Sequence, residues 1–255
     1  MSDSQLSVQG VSVQFGGLKA VTDVTFSLRS SERVGLIGPN GAGKTTLVNT
    51  ISGEITPVSG RVAIAGHDVT RRRPFQRFRA GLARTFQVAH PFPALSVLDA
   101  VMLGPLSRGR GISDAETAAM AALELLGQAN DARKPMKDLN PVTSKLVELA
   151  RVVASDPKVV LLDELLAGLL PAERHRVVDV LAELAVIRSW STVMIEHLIG
   201  DVRRFCDRVV VLVEGTVLAD GPTDAVLADP AVIEAYLGVS ARPLVTRTGS
   251  QGRTP

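Results

Sequence analysis

Nine consecutive residues constrain this chain more than any others. Gly38-Pro39-Asn40-Gly41-Ala42-Gly43-Lys44-Thr45-Thr46 follow directly on the apolar run Val34-Gly35-Leu36-Ile37. They fit the phosphate-binding pattern G-x-x-x-x-G-K-[ST], with Gly38, Gly43, Lys44 and Thr45 at its fixed positions. Such a loop works because glycines let the backbone wrap an anion with several N–H groups pointing inward. The helix that follows adds the positive end of its dipole. Lys44 is placed to neutralise the β- and γ-phosphates, and the Thr45 hydroxyl to join the shell of a Mg²⁺ ion. Thr46-Leu47-Val48-Asn49 reads as the start of that helix. Strand, loop and helix in this order predict a nucleoside triphosphate site.

The rest of the chain places that site in a fold. Leu6–Val11 and Val21–Leu28 alternate and are β-branched, and the turn signal Gly16-Gly17 separates them, so they read as antiparallel strands. Gly60–Gly66 offers another strand of the same kind. From Val97 to Leu126 the pattern is helical, broken by the basic, glycine-containing stretch Ser107–Gly111, with Ser113 as the expected cap of the second half. Two buried strands follow, Val159–Leu162 and Ser191–Ile195, separated by a helix from Pro171 to about Arg188. A hairpin of Val209–Val213 and Gly215–Ala219 closes the pattern. Strands alternating with helices predict a largely parallel α/β core of the phosphate-loop NTPase (RecA-like) type, with an antiparallel β flank and an inserted helical subdomain. The expected division is one domain over 1–240, the helical subdomain at about 92–150 within it, and a flexible tail over 241–255.

Composition excludes several classes of protein. With 255 residues, 45% of them apolar, the chain can bury a substantial core. A net charge of +2 gives no global field calling for nucleic acid or an anionic membrane. Arg71-Arg72-Arg73 with Arg77 and Arg79 forms a local basic cluster, which reads as a solvated face. The single cysteine, Cys206, rules out an internal disulfide and fits a reducing compartment. Met1–Gln5 carries no secretory signal, and no apolar stretch reaches the ~18 residues of a membrane span. The expectation is a cytoplasmic protein whose work at a membrane goes through partners.

Open α/β sheets bind ligands at the carboxyl ends of their strands, so residues there carry weight. Asp163 ends one buried strand, where a phosphate-loop ATPase holds the acidic group of its magnesium shell. Glu164 is next, placed to polarise the attacking water as a general base. His197 ends the next strand and can approach the γ-phosphate from the far side.

In this order the motifs resemble the ATP-binding subunit of ABC transporters, from about Leu6 to Gly238. The resemblance implies that Phe15, in Val13-Gln14-Phe15-Gly16-Gly17, stacks on adenine. It implies that Gln87, in Arg84-Thr85-Phe86-Gln87, touches Mg²⁺ or the γ-phosphate and reports to the membrane subunits. Glu164 takes the place of the catalytic glutamate and His197 that of the switch histidine. Phe15–Val21, Arg84–Gln87, Ala167-Gly168-Leu169 and Ala235-Tyr236-Leu237-Gly238 are similar to ATPases of branched-chain amino-acid importers, whose relatives also move urea, amides or aromatic compounds. Implied partners are a second ATPase subunit, two membrane permease subunits and, indirectly, an extracytoplasmic solute-binding protein, with no nucleic acid. The implied location is the inner face of the cell membrane, held there by the permeases.

The sequence also departs from that family. The signature Leu-Ser-Gly-Gly-Gln falls at Leu139-Asn140-Pro141-Val142-Thr143, where only the leucine matches. Asn140 and Pro141 make a good helix start, but Pro141 lacks an N–H and Val142 is branched where glycine allows close approach. In the loop after Glu164, Leu165 replaces the usual proline, and Leu170 stands where an acid or amide reaches across the family's dimer. Own-site elements are intact while cross-dimer elements are altered, which points to a heterodimer; a homodimer whose variant loop works normally stays open. Two further readings stay open too. One is a degenerate or regulatory ABC ATPase with little hydrolysis. The other is a soluble non-transport ABC ATPase, though neither a second fused cassette nor a long coiled-coil insertion is present.

Overall fold

The computed structural model describes residues 4–85 and 93–240, with side chains described through Tyr236. Gln87 and the expected tail over 241–255 therefore lie outside the described residues. The chain opens with strands β1 (Ser4–Phe15) and β2 (Leu18–Arg29), then β3 (Arg33–Ile37) and helix α1 (Lys44–Ser52). Strands β4 (Ser59–Ile64) and β5 (His67–Asp68), helix α2 (Pro74–Arg79) and strand β6 (Leu82–Arg84) come next. Three helices form the middle: α3 (Val97–Ser107), α4 (Ile112–Leu125) and α5 (Pro141–Ser155). The last third alternates β7 (Val159–Asp163), α6 (Pro171–Ile187), β8 (Ser191–Ile195), α7 (Ile199–Phe205), β9 (Arg208–Val213) and β10 (Thr216–Pro222), ending in α8 (Thr223–Leu227) and α9 (Pro230–Ser240).

These strands make two sheets. One is antiparallel in the order β2-β1-β4-β5; the other runs β10-β9-β3-β8-β7-β6. Pairing is parallel from β9 through β6, and only β10 on β9 is antiparallel. The parallel strands read as unbroken apolar runs because both faces are covered. Alternate residues of β7 divide between two cores: Val160 and Leu162 pack toward the helices, Val159 and Leu161 toward the antiparallel sheet and α1. The expected parallel core with an antiparallel flank and a helical region is what forms.

Local chemistry explains two departures from expectation. Helix α4 begins at Ile112 behind Gly111, one residue before Ser113, so Ser113 lies inside the first turn and does not cap it. Instead the Ser113 carbonyl accepts a hydrogen bond from the Thr117 hydroxyl at 2.9 Å. The arginine cluster also divides. Arg71, Arg72, Arg73 and Arg79 are exposed, but Arg77 is buried. Its guanidinium donates to the carbonyls of Thr50 (2.6 Å), Ile51 (2.8 Å), Thr70 (2.8 Å) and Arg72 (3.0 Å). The first two are orphan carbonyls at the C-terminal end of α1, where a cation also meets the negative end of the helix dipole. Burial lowers the Arg77 pKa to about 10, so it stays charged at neutral pH.

Candidate active site

The loop from Gly38 to Gly43 leaves the carboxyl end of β3 at the middle of the parallel sheet and opens α1. Two glycines are demanded by neighbours. A Cβ on Gly38, at φ +152°, would lie 2.1 Å from the Leu212 carbonyl oxygen of β9. One on Gly43, at φ +97°, would lie 2.4 Å from the Ala20 oxygen of β2. Gly43 is the left-handed N-cap of α1, and no side chain caps that end. The first-turn N–H groups of Lys44, Thr45 and Thr46 are therefore offered to a ligand. Lys44 is buried, with Nζ donating to the carbonyls of Gly38 (2.6 Å) and Pro39 (2.9 Å) of its own loop. Desolvation lowers its pKa, and the charge of Glu164 opposes that shift. Thr45, Gly41 and Asn40 are exposed at the loop surface, Pro39 and Thr46 partly so, and Ala42 is buried beneath.

Neighbouring strands deliver the acidic groups to the same edge. In the parallel register Asp163 lies opposite Ile195, so Glu164 and Glu196 are the next residues out on adjacent strands. His197 Nε2 lies 2.7 Å from Glu164 Oε1, joining the expected base to the expected switch residue. Glu164 takes a left-handed backbone at φ 48°, fixed by its N–H donating to the Ile195 carbonyl at 3.0 Å. Asp163 is only 6% exposed, and one carboxylate oxygen accepts from the Arg84 guanidinium at 2.6 Å. Phe15 is half exposed at the tip of the hairpin whose second strand passes Gly43. The structure thus brings Lys44, Asp163, Glu164 and His197 to one sheet edge.

Comparisons with known proteins place the whole chain in a family. Residues 21–167, more than half the chain, match the family model described as "ABC transporter". The chain belongs to the ABC transporter ATP-binding family. Residues 216–242 match a second model, "Branched-chain amino acid ATP-binding cassette transporter". A high-affinity branched-chain amino acid transport ATP-binding protein, LivG, of Salmonella typhimurium is 34% identical over 253 residues, spanning 93% of this chain and 99% of its own. A probable LivG of Archaeoglobus fulgidus is 32% identical over 91% of this chain and 95% of its own. Among solved structures, an ATP-binding cassette of an ABC transporter in its ADP conformation is 28% identical with a TM-score of 0.84, covering 92% of this chain and 99% of that one. A nucleotide-free cassette gives 0.83 at 28% identity, covering 91% and 98%. The fold is that of an ABC ATPase, and the ABC transporter ATPase has ATP as its substrate.

Three residues near this ABC site escaped sequence reasoning. Arg84 was read only as part of the glutamine-loop motif, yet it also bonds Glu54 (2.8 Å) and Ser52 (3.0 Å), tying Asp163 to the end of α1. Tyr236 was read only as a subfamily mark. Its phenol is pushed up to about 12 by burial, with the Gly38 backbone opposing the rise, so α9 packs near the phosphate loop. Glu196, between the end of β8 and His197, is only 5% exposed. Only its place directly after the apolar run that ends at Ile195 hinted at burial.

Two altered elements are also located. Asn140 caps α5, its Oδ1 accepting from the Thr143 N–H at 2.9 Å, and Pro141 opens the first turn. After Glu164, Leu165, Leu166 and Leu169 are buried, and Leu170 alone turns outward, 67% exposed.

Proposed function

We propose that this chain is the ATP-hydrolysing subunit of an importer for branched-chain amino acids or related small solutes. The observation that carries it is the meeting of Lys44, Asp163, Glu164 and His197 at one sheet edge, in a chain 34% identical to a LivG protein along most of its length. In this reading Gly38–Thr46 hold the phosphates, Phe15 stacks on adenine, Glu164 aligns and deprotonates the attacking water, and His197 reports the γ-phosphate. Gln87 is assigned to the γ-phosphate and metal contact on the family resemblance. A Mg²⁺ ion fits the donors present, since this ion takes one or two protein oxygens and fills its shell with phosphates and water. Thr45 Oγ1 and the Asp163 carboxylate would be those oxygens, and the ion would supply charge neutralisation for the departing phosphate.

Residues 1–240 act as one ABC ATPase domain, with the helical subdomain at about 92–150 as its insertion. Among the described residues no helix is long and apolar enough to cross a membrane; in this reading the subunit works from the inner face through two permease subunits. An apolar cavity of about 420 Å³ between that subdomain and the core supports the attachment; its lining includes Phe75, Phe78, Arg84, Leu103 and Arg151. The solute-binding protein is reached only through the permeases.

The second ATPase subunit is a different chain. The Asn140 side-chain oxygen already caps α5, Pro141 has no N–H to give, and Leu170 brings an apolar group to the dimer face. A partner with a regular signature closes this chain's site, while this chain serves its partner's site poorly. Glu164→Gln tests the assignment: ATP binding is kept and turnover in the reconstituted transporter drops ~10²–10⁴-fold, the range of a lost general base. Normal turnover by that variant refutes the base. Rapid cooperative hydrolysis by the pure chain refutes the heterodimer.

A further inference from the structure

One buried acid beside this site has no part in the mechanism above. Glu196 leaves the end of β8 between Ile195, whose carbonyl holds the Glu164 N–H, and His197, which bonds the Glu164 side chain. Its Oε1 accepts from the N–H of Leu166 at 2.9 Å in a buried bond. Among the described residues it forms no ion pair, although burying a carboxylate is costly without a cation. A group retained under those conditions needs a compensating task, and the Leu166 bond identifies it.

Glu164 occupies a left-handed backbone that a non-glycine residue holds only when its surroundings over-determine it. Three bonds do so here. Glu164 N–H meets Ile195, Ala167 N–H meets the Glu164 carbonyl at 3.1 Å, and Leu166 N–H meets Glu196. The first two are backbone bonds that any sequence can make. The third depends on a side chain, and without it the Leu166 N–H is an unpaired buried donor.

We propose that Glu196 is a positioning residue: its carboxyl group pins the turn that carries Glu164 and fastens it to the strand that carries His197. The proposal rests on reading Glu164 as the base. A second clamp reinforces the same loop. Asp201 of α7 lies 3.1 Å from Arg174 of α6, whose Nη1 donates to the Leu169 carbonyl at 3.3 Å. Side chains on either side of His197 thus grip both ends of the segment from Leu166 to Leu169, whose next residue is the exposed Leu170.

The charged and titratable groups around Glu196 are Glu164, His197 and Asp201, the last held by Arg174. Burial together with the two neighbouring carboxylates raises the Glu196 pKa to about 7, while the Leu166 bond and His197 work against the rise. An oxygen acceptor is present in either protonation state, so the geometry requires an acceptor at this place and not a charge.

That distinction sets the experiment. In the transporter assembled from full-length subunits, Glu196→Ala lowers kcat about 10- to 50-fold with KM for ATP changed less than about twofold, as for a loss confined to the transition state. Amide exchange at Leu166 speeds up about tenfold or more as its bond is lost. Glu196→Gln keeps the acceptor and stays within about threefold of the parent in both measures. Glu196→Ala turning over like the parent, or Glu196→Gln as slow as Glu196→Ala, overturns the proposal. If Glu196→Ala does not fold, exchange in the parent and Glu196→Gln decides: a Leu166 amide unprotected in either overturns it. A fully active Glu164→Gln variant sinks the base assignment instead, and leaves the Leu166 protection pattern as expected.

Discussion

Helices α1 and α5 begin in opposite ways. At the start of α1 the cap is a left-handed glycine, Gly43, with no side chain spent on the exposed N–H groups. At the start of α5, Asn140 accepts from Thr143 N–H and Pro141 contributes none. The first end is left open for an anion, whereas the second completes itself. Both are sound ways to begin a helix, and only the open one is also an anion site. The same division separates the loops: Lys44, Asp163, Glu164 and His197 converge at one sheet edge beside the phosphate loop, while Leu170 shows a hydrocarbon to the outside. On the proposed function, a cassette that keeps one half of a composite site and closes off the other is suited to an unequal partner.

Breaking the open half gives the largest effect. Lys44→Ala removes a buried cation from the phosphate loop and weakens ATP binding or turnover about 100-fold or more, the scale of losing one preorganised charge donor. Equilibrium binding of a fluorescent ATP analogue checks it, and near-parental affinity would mean that the loop is not the site. Reopening the closed half is the sharper test. Pro141→Ser combined with Val142→Gly returns an N–H and close backbone approach to the start of α5. Turnover at the partner's site should rise about three- to tenfold, from the ~1 kcal/mol a helix terminus offers an anion. Unchanged ATPase rates in the mixed dimer would show that the variant signature already works.

The smallest effect probes the link between the halves. The Glu196 pKa rises from 4.5 to about 7 on folding, so the folded chain holds this proton more tightly than the unfolded one. The stability it contributes is therefore full below about pH 4.5 and is lost as pH rises through about 7. Glu196→Gln does not titrate. The Tm of the parent minus that of the variant should fall by several degrees over this interval, since ~1 kcal/mol moves Tm by about 2–4 °C in a chain of this size. A difference that is flat with pH would place Glu196 in a more solvated setting.

Much of the open half was legible beforehand because its demands are local. Strand, glycine loop and helix occupy one continuous stretch, and Asp163, Glu164 and His197 each follow a visible apolar strand. Arg77 was misread because neighbouring arginines look alike in sequence, and only the fold puts one of them against the carbonyls that end α1. Ser113 was misread because a cap depends on where the preceding chain arrives, and Gly111 arrives first. The expected contacts of Gln87 lie outside the described residues.

By itself the sequence determined the phosphate loop, the alternation of buried strands with helices, the family, and the departures at Asn140–Thr143 and Leu170. These are patterns of residue type along short stretches, where backbone conformation and hydrophobic period act directly. Tertiary structure alone decided that Arg84 holds Asp163, that Tyr236 lies near Gly38 and that Glu196 accepts from the Leu166 N–H. Those partners lie tens to about two hundred residues apart. Nothing in a local pattern specifies which buried donor a given acceptor meets; the parallel sheet does so when it sets strand ends side by side.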